Sequence, residues 1–226
     1  MTKIKSIVVD TFTAFQKNEI LEKWEKGKAQ LDDWKDYGTD IVLFARRIND
    51  LGFNCVAVLG YEGSGKSFGM KTLLPGTNLW YNADNKNPTW LGGKQEYGTK
   101  TQPTKYMVIP KTYDDVINHI KLLKSKDMFD ENPIAFFLAH IEDYKSANGQ
   151  QRQRLKTFGK LANKVNVEDM FNVCYYTDVR REGDKVNFQL RTQNNGWDTC
   201  RSNEGMHTTA YIPNDYKLII DAIENY

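Results

Sequence analysis

The chain has 226 residues, of which 27% are charged and 40% hydrophobic, and a formal net charge of +2. These are the proportions of a soluble globular chain with one sizeable core, and so small a net charge means that any nucleic-acid signal has to come from local clustering. No apolar run approaches the ~20 residues needed to cross a bilayer, and MTKIKSIVVD lacks the long apolar stretch and small-residue cleavage site of a secretory signal.

In chain order, short apolar runs alternate with helical stretches, the pattern of an α/β chain with a mostly parallel sheet flanked by helices. The predicted strands are SIVVD (6–10), NCVAVLG (54–60), NLWYN (78–82), YMVIP (106–110), IAFFLAH (134–140), FNVCYYTDV (171–179) and VNFQLRTQ (186–193). Near-continuous apolar runs such as VAVL and IAFFLA predict strands buried on both faces. Helices are expected over 16–36, where Ile20, Leu21 and Trp24 recur at helical spacing although Gly27 weakens the stretch, and over 40–50, with Ile41, Leu43, Phe44 and Ile48. Another is expected over 67–74. A further helix over 113–125 follows Thr112, and Asp115 completes a capping-box pattern with Asp in place of Glu. The last helix begins after Pro213 and Asn214 and carries Leu218, Ile219 and Ile223. REGDKV (181–186) is a turn signal, so 171–193 should form an antiparallel hairpin. Segments 83–105 and 143–154 read as long loops, which in compact domains are often functional. Cys55 and Cys174 fall inside strands, and with Cys200 they show no metal-ligand spacing. This predicts buried free thiols and a reducing cytosol. Nothing is left over for a second domain, so 1–226 is expected to be one.

The most specific motif is Gly60-Tyr-Glu-Gly-Ser-Gly65-Lys66-Ser67, which meets G-x-x-x-x-G-K-[ST] at every fixed position and stands between an apolar strand and a helix-compatible stretch. Glycines let backbone amides curl around phosphates, and Gly60, Glu62, Gly63, Ser64, Gly65, Lys66, Ser67 and Phe68 are the expected nucleotide contacts. Lys66 should neutralise the β- and γ-phosphates and Ser67 should ligate Mg²⁺, making ATP and Mg²⁺ the expected cofactors. Such a loop needs a carboxylate at a neighbouring strand end to hold the metal's water. Asp10, which ends SIVVD and precedes Thr11, is one candidate, and Glu142 or Asp143, just past IAFFLAH, is the other. His140 is either a strand-end histidine or a functional group.

SIVVDTFTAF resembles the metal-aspartate strand of RecA-type recombinases. NLWYNADNK resembles their second strand, whose end carries a catalytic acid, which implies that role for Asp84. FFLAHIEDY resembles the strand whose polar end senses the γ-phosphate, with His140 in that position. Together with AHIEDYKSANGQQRQRLKTFGK, the terminal hairpin and the IPND-helix ending, nearly the whole chain resembles the small phage RecA-like ATPases of single-strand annealing and recombination. The order differs, because the metal-aspartate segment, residues 1–52, stands ahead of residues 53–226 with the phosphate loop, sensor strand and hairpin. Moving 1–52 to between Phe129 and Asn132 restores the family order. The rearranged connections run in the same directions as those they replace and so can remain right-handed. Strand 134–139 is then expected between 6–10 and 54–59, all parallel, with Asp10 as the metal carboxylate.

The segment from Asp143 to Lys164 carries Lys145, Arg152, Arg154, Lys156, Lys160 and Lys164 with Tyr144 and Phe158 interleaved. Gly149, Gln150 and Gln151 suggest mobility, and the segment is either a solvated helix face or a loop that tracks a nucleic-acid backbone. The resemblance implies single-stranded DNA as the partner, the cysteines place the chain in the cytoplasm, and a homo-oligomer is left open. Arg180 and Arg181 are hairpin surface charges or reach a neighbour's nucleotide, and Trp80, Trp90 and Trp197 read as packing residues. The expectation is therefore an ATP-binding, ATP-hydrolysing RecA-like protein that acts on single-stranded DNA in recombination or annealing. The alternatives are a nucleotide-dependent assembly module with little hydrolysis, or a rewired scaffold without activity.

Overall fold

The computed structural model describes residues 2–10, 15, 37–157 and 167–226. Thr11, the helix expected over 16–36 and the end of the basic segment, Phe158, Lys160 and Lys164, lie outside the described residues.

Eleven strands form among the described residues: β1 (Ile4–Asp10), β2 (Asn54–Gly60), β3 (Asn78–Asn82), β4 (Gly98–Thr99), β5 (Gln102–Pro103), β6 (Met107–Val108), β7 (Phe129–Lys145), β8 (Gln151–Leu155), β9 (Val173–Glu182), β10 (Lys185–Arg191) and β11 (Tyr211–Pro213). The helices are α1 (Tyr37–Asp50), α2 (Gly93–Tyr97), α3 (Tyr113–Ser125) and α4 (Tyr216–Glu224). The main sheet runs β11-β10-β9-β2-β7-β1-β3-β6, with β8 paired to the outer part of β7. From β9 to β6 every neighbour is parallel, and β10 and β11 add the antiparallel edge. As the resemblance implies, β7 lies between β2 and β1. Register brings four strand ends to one edge: Asp10 is level with Asn82 and Leu138, and Gly60 is level with His140.

The central strands are buried on both faces because their apolar residues are continuous. Ile7 and Val9, Cys55, Ala57 and Leu59, and Ala135, Phe137 and Ala139 meet α1 and α3 through Ile41, Phe44, Ile48, Val116, Ile117 and Ile120. Val8, Val56, Val58, Phe136 and Leu138 face the other side, under Met70, Tyr216, Ile219 and an aromatic group of Trp80, Trp90 and Tyr97. Each fully buried side chain of this kind contributes about 1.5–3 kcal/mol. The predicted capping box forms: the Asp115 amide donates to Thr112 Oγ1 at 3.1 Å, and the Thr112 amide donates to the Asp115 carboxylate at 3.0 Å. Cys55, Cys174 and Cys200 are free and buried. No described helix is long and apolar enough to cross a membrane.

Four expectations need correction. Residues 67–74 do not form an α-helix: Ser67–Thr72 is a 3₁₀ turn that ends in an extended Leu73, two residues ahead of Pro75. The loop 83–105 is partly ordered into α2 and the β4–β5 hairpin, because Trp90 and Tyr97 pack on Trp80. The strand expected over 106–110 shrinks to two residues, paired with Trp80 and Tyr81. The segment 143–154 is not a mobile loop but the outer half of a β-hairpin, with Ile141–Lys145 opposite Gln151–Leu155.

Candidate functional site

The loop after β2 is shaped by close approach. A Cβ on Gly60 would lie 1.7 Å from Thr177 Oγ1, and one on Gly65 (φ +87°) would lie 2.5 Å from the Phe188 ring, so neither position takes a larger residue. Thr177, on β9, donates to Ser64 Oγ at 2.7 Å, and Ser64 Oγ donates to the Tyr61 carbonyl at 2.6 Å. The start of α4 holds the far side of the loop. Asn214 Nδ2 donates to the Gly65 carbonyl at 2.7 Å and the Tyr216 hydroxyl donates to the Lys66 carbonyl at 2.5 Å. These three anchors come from residues far along the chain, and the sequence motif contains no sign of them.

Lys66 is buried, and its ammonium donates to the carbonyls of Gly60 and Tyr61 at 2.9 and 2.8 Å. It also lies 3.3 Å from His140 Nδ1. An ammonium has no lone pair, so this contact requires Nδ1 to be the accepting nitrogen and leaves Nε2–H as the ring's donor. Burial lowers the pKa of Lys66 to about 8, and Lys86 adds to the effect against the opposing pull of Asp10 and Asp84. Burial and the neighbouring Lys66 also hold His140 below its ordinary value, so its neutral form is favoured. Ser67 Oγ donates to Asp10 Oδ2 at 2.9 Å, and Asp10 is fully buried at the end of β1. The strand end first in sequence thus meets the loop that follows β2.

Asp84 stands past the end of β3, and Lys86 bridges the two acids, 3.2 Å from Asp10 Oδ2 and 3.1 Å from Asp84 Oδ2. Burial works against the Lys86 ammonium, but Asp10 and Asp84 outweigh it and its pKa is raised. One cleft of roughly 560 Å³ is lined by Glu62 to Phe68, Asp84, Lys86, Thr89, His140 and Phe188, and Asp10 does not line it but touches two residues that do, Ser67 and Lys86. Phe68 packs on Phe188 with centroids 5.2 Å apart, and the Lys71 ammonium lies 3.7 Å over the Phe68 ring. Every expected nucleotide contact other than Gly60, which ends β2 beneath the loop, borders the cleft. Lys86, Thr89 and Phe188 join them without a sequence signal.

An ammonium, a loop rich in amides and the hydroxyl that opens the 3₁₀ turn suit an anion of phosphate chemistry. Because Ser67–Thr72 is a 3₁₀ turn, the loop amides and Lys66 supply more of that field than a helix dipole does. The Ser67 hydroxyl and the Asp10 carboxylate are the hard oxygen donors that Mg²⁺ takes. Among the described residues no group of three His, Cys, Asp or Glu could hold a metal alone. Comparison of the chain with family models, with curated proteins and with solved structures finds no match.

The other acids lie elsewhere. Glu142 pairs with Arg154 at 2.8 Å and Asp143 accepts from the Tyr61 hydroxyl at 2.6 Å, and neither borders the cleft. Of the basic residues, Lys145 ends β7, Arg152 and Arg154 stand on β8, and Lys156 follows it. Arg154 also stacks over Tyr144 at 4.6 Å, so part of the basic set is tied into the hairpin. Arg180 pairs with Asp178 and lies 4.2 Å over Tyr211. Trp80 and Trp90 are buried as expected, but Trp197 is 54% exposed, and its carbonyl accepts from the Gln153 amide at 2.7 Å. Its exposure corrects the packing expectation.

Proposed function

We propose that the chain is a RecA-like P-loop ATPase that binds ATP with Mg²⁺ along Gly60–Phe68 and acts on single-stranded DNA in recombination or annealing. The observation that carries this reading is the Ser67–Asp10 hydrogen bond of 2.9 Å beside Lys66, at the common edge of parallel strands where open α/β sheets take their ligands. It joins a loop that binds phosphate to an acid that a metal requires, although 57 positions separate the two residues.

In this reading the loop amides cradle the β-phosphate, and Lys66 leaves its own loop carbonyls to meet the β- and γ-phosphates. Ser67 and Asp10 would hold the metal, which would supply neutralisation of phosphate charge when bound. Asp84 orients the attacking water or takes its proton, and the Nε2–H of His140 donates to the terminal phosphate. His140 leads along β7 into the hairpin that carries Lys145, Arg152 and Arg154, so one strand joins the phosphate sensor to the basic surface proposed for the nucleic acid. A second reading, a nucleotide-binding assembly module that hydrolyses slowly, draws support from Lys86, which engages Asp10 where a metal's water would.

The test is ATP hydrolysis with and without single-stranded DNA, in the wild type and in Lys66→Ala. A rate raised by the strand and lowered by roughly two orders of magnitude or more in the variant is expected. An unchanged rate in the folded variant would remove the loop from the reaction. Nucleotide-dependent self-association without strand stimulation would favour the second reading.

A further inference from the structure

The turn after β3 puts a cation where the motif pattern has none. Asn82, fully buried, donates from Nδ2 to the Lys86 carbonyl at 2.7 Å and accepts at Oδ1 from the Lys86 amide at 3.2 Å. Asn85 takes the left-handed conformation (φ 49°), and its amide returns to the Asn82 carbonyl at 3.2 Å. The backbone of Lys86 is therefore clamped, while its four-carbon stem lets the ammonium pivot. That ammonium sits between Asp10 Oδ2 and Asp84 Oδ2, at 3.2 and 3.1 Å. Asp10 Oδ2 is also the atom that accepts from Ser67 Oγ. One oxygen of a fully buried carboxylate serves both the hydroxyl and the lysine.

This arrangement has an electrostatic consequence. Asp10 and Asp84 face a common point, and without a cation there they would repel each other, the more so because Asp10 is fully buried. Lys86 relieves that repulsion with a charge belonging to the chain itself. A divalent ion that used Ser67 and Asp10 would meet the ammonium at close range, so the two cations compete. A polyphosphate changes the balance, because it brings more negative charge than its metal cancels and offers the ammonium a new partner within reach of its stem.

We propose that Lys86 is an exchangeable third cation of the site. It neutralises Asp10 and Asp84 before ligand binds, keeps free divalent metal off Asp10, and passes to the polyphosphate when metal and nucleotide enter together. The inference rests on the nucleotide reading of the cleft, but its first consequence concerns metal binding alone. The consequence is an ordered site, one that takes the metal–nucleotide complex and not the metal first.

The experiment is Mn²⁺ binding to nucleotide-free protein, followed by water-proton relaxation. Lys86→Met should bind Mn²⁺ at least about tenfold more tightly than the wild type, the equivalent of 1.4 kcal/mol. Lys86→Arg, which keeps the charge, should stay close to the wild type. Adding Asp10→Asn to Lys86→Met should erase the gain. Equal affinity in the wild type and Lys86→Met, or a gain that survives Asp10→Asn, overturns the proposal. If Lys86→Met fails to fold, the wild type decides by itself: Mn²⁺ that binds as tightly without ADP as with it overturns the proposal, and binding that requires ADP supports it. Binding of a fluorescent ATP analogue to the wild type and to Lys66→Ala tests the nucleotide reading separately, since its failure would leave the metal result standing.

Discussion

At the scale of single residues, the site depends on which carboxylate faces Ser67. Asp10 is fully buried and accepts its hydroxyl, whereas Asp143 is bound by the Tyr61 hydroxyl and by Gln153 Nε2 at 3.3 Å. Replacing Asp10 with Asn keeps the shape but removes the charge that a metal's water needs. Asp10→Asn should therefore abolish Mg²⁺-dependent ATP turnover while Asp143→Asn retains it, as measured by phosphate release at saturating Mg²⁺. The reverse result would move the metal to the end of β7. A residue-scale pH effect lies away from the cleft, at Glu168, which is 3% exposed and accepts from the Leu155 amide at 2.6 Å. Burial raises its pKa above the ordinary 4.5, so the folded state holds this proton where the unfolded chain has lost it. The sign follows: stability is highest below pH 4.5 for this group and falls as pH rises from there through the raised value. Glu168→Gln, which keeps the accepting oxygen, should flatten that fall. Melting temperatures of both proteins from pH 4.5 upward would show it, and parallel curves would refute it.

At the scale of elements, the β7–β8 hairpin ties the loop after β2 to a basic surface. Tyr61 bonds to Asp143 on β7 and accepts from Gln153 Nε2 on β8 at 2.8 Å, so the loop after β2 and the hairpin are joined by polar side chains. The hairpin was illegible in the sequence because strands are found by alternating apolar residues, and QRQRL has one apolar residue at its end. Cross-strand pairs hold it instead, Glu142 with Arg154 and Asp143 with Gln153. Since Arg154 is engaged within the hairpin, Lys145 and Arg152 are the cleaner pair for a binding test. Lys145→Ala with Arg152→Ala should reduce the salt slope of single-strand binding by up to ~0.7 for each phosphate left without its cation. Fluorescence anisotropy with a labelled oligonucleotide over a salt series measures it. An unchanged slope would make the hairpin an ordinary solvated surface.

At the scale of the molecule, the strands were legible as continuous apolar runs, while the place of β7 between β2 and β1 came from the resemblance and not from the runs. Asp10, Gly60, Asn82 and His140 all sit at the ends of such runs and gather at one edge. Lys86 was not legible, since the clamp of Asn82 on the turn decides its position and neither periodicity nor motif spacing encodes a clamp. The same structure bears on the N-terminal segment, residues 1–52, and the proposal that it is transposed. The Ile4 amide donates to the Met128 carbonyl at 2.8 Å, and Lys3 pairs with Asp127 at 3.0 Å. At the other end of the segment, Lys124 Nζ donates to the Leu51 carbonyl at 2.5 Å, and the rings of Phe53 and Phe129 lie 5.1 Å apart. Both ends of 1–52 therefore lie beside residues 124–129, where the alternative chain order would join them. A rearranged chain running 53–129, then 1–52, then 132–226, with short glycine linkers at the two new joints, cuts β7 after its first residue, Phe129, and keeps the neighbours of the parallel strands from Ile134 onward. Loop closure costs little more as a connection lengthens, about 0.6 kcal/mol per doubling, so the rearrangement should leave most of the stability intact. The expected outcome is cooperative thermal unfolding like that of the present order, with a similar gain in melting temperature on adding Mg²⁺ and ATP analogue, because the cleft is assembled from the same strand ends. An insoluble or non-cooperative product, beside a well-folded chain in the present order, would mean that the present connections are needed to form the sheet and would sink the transposition reading.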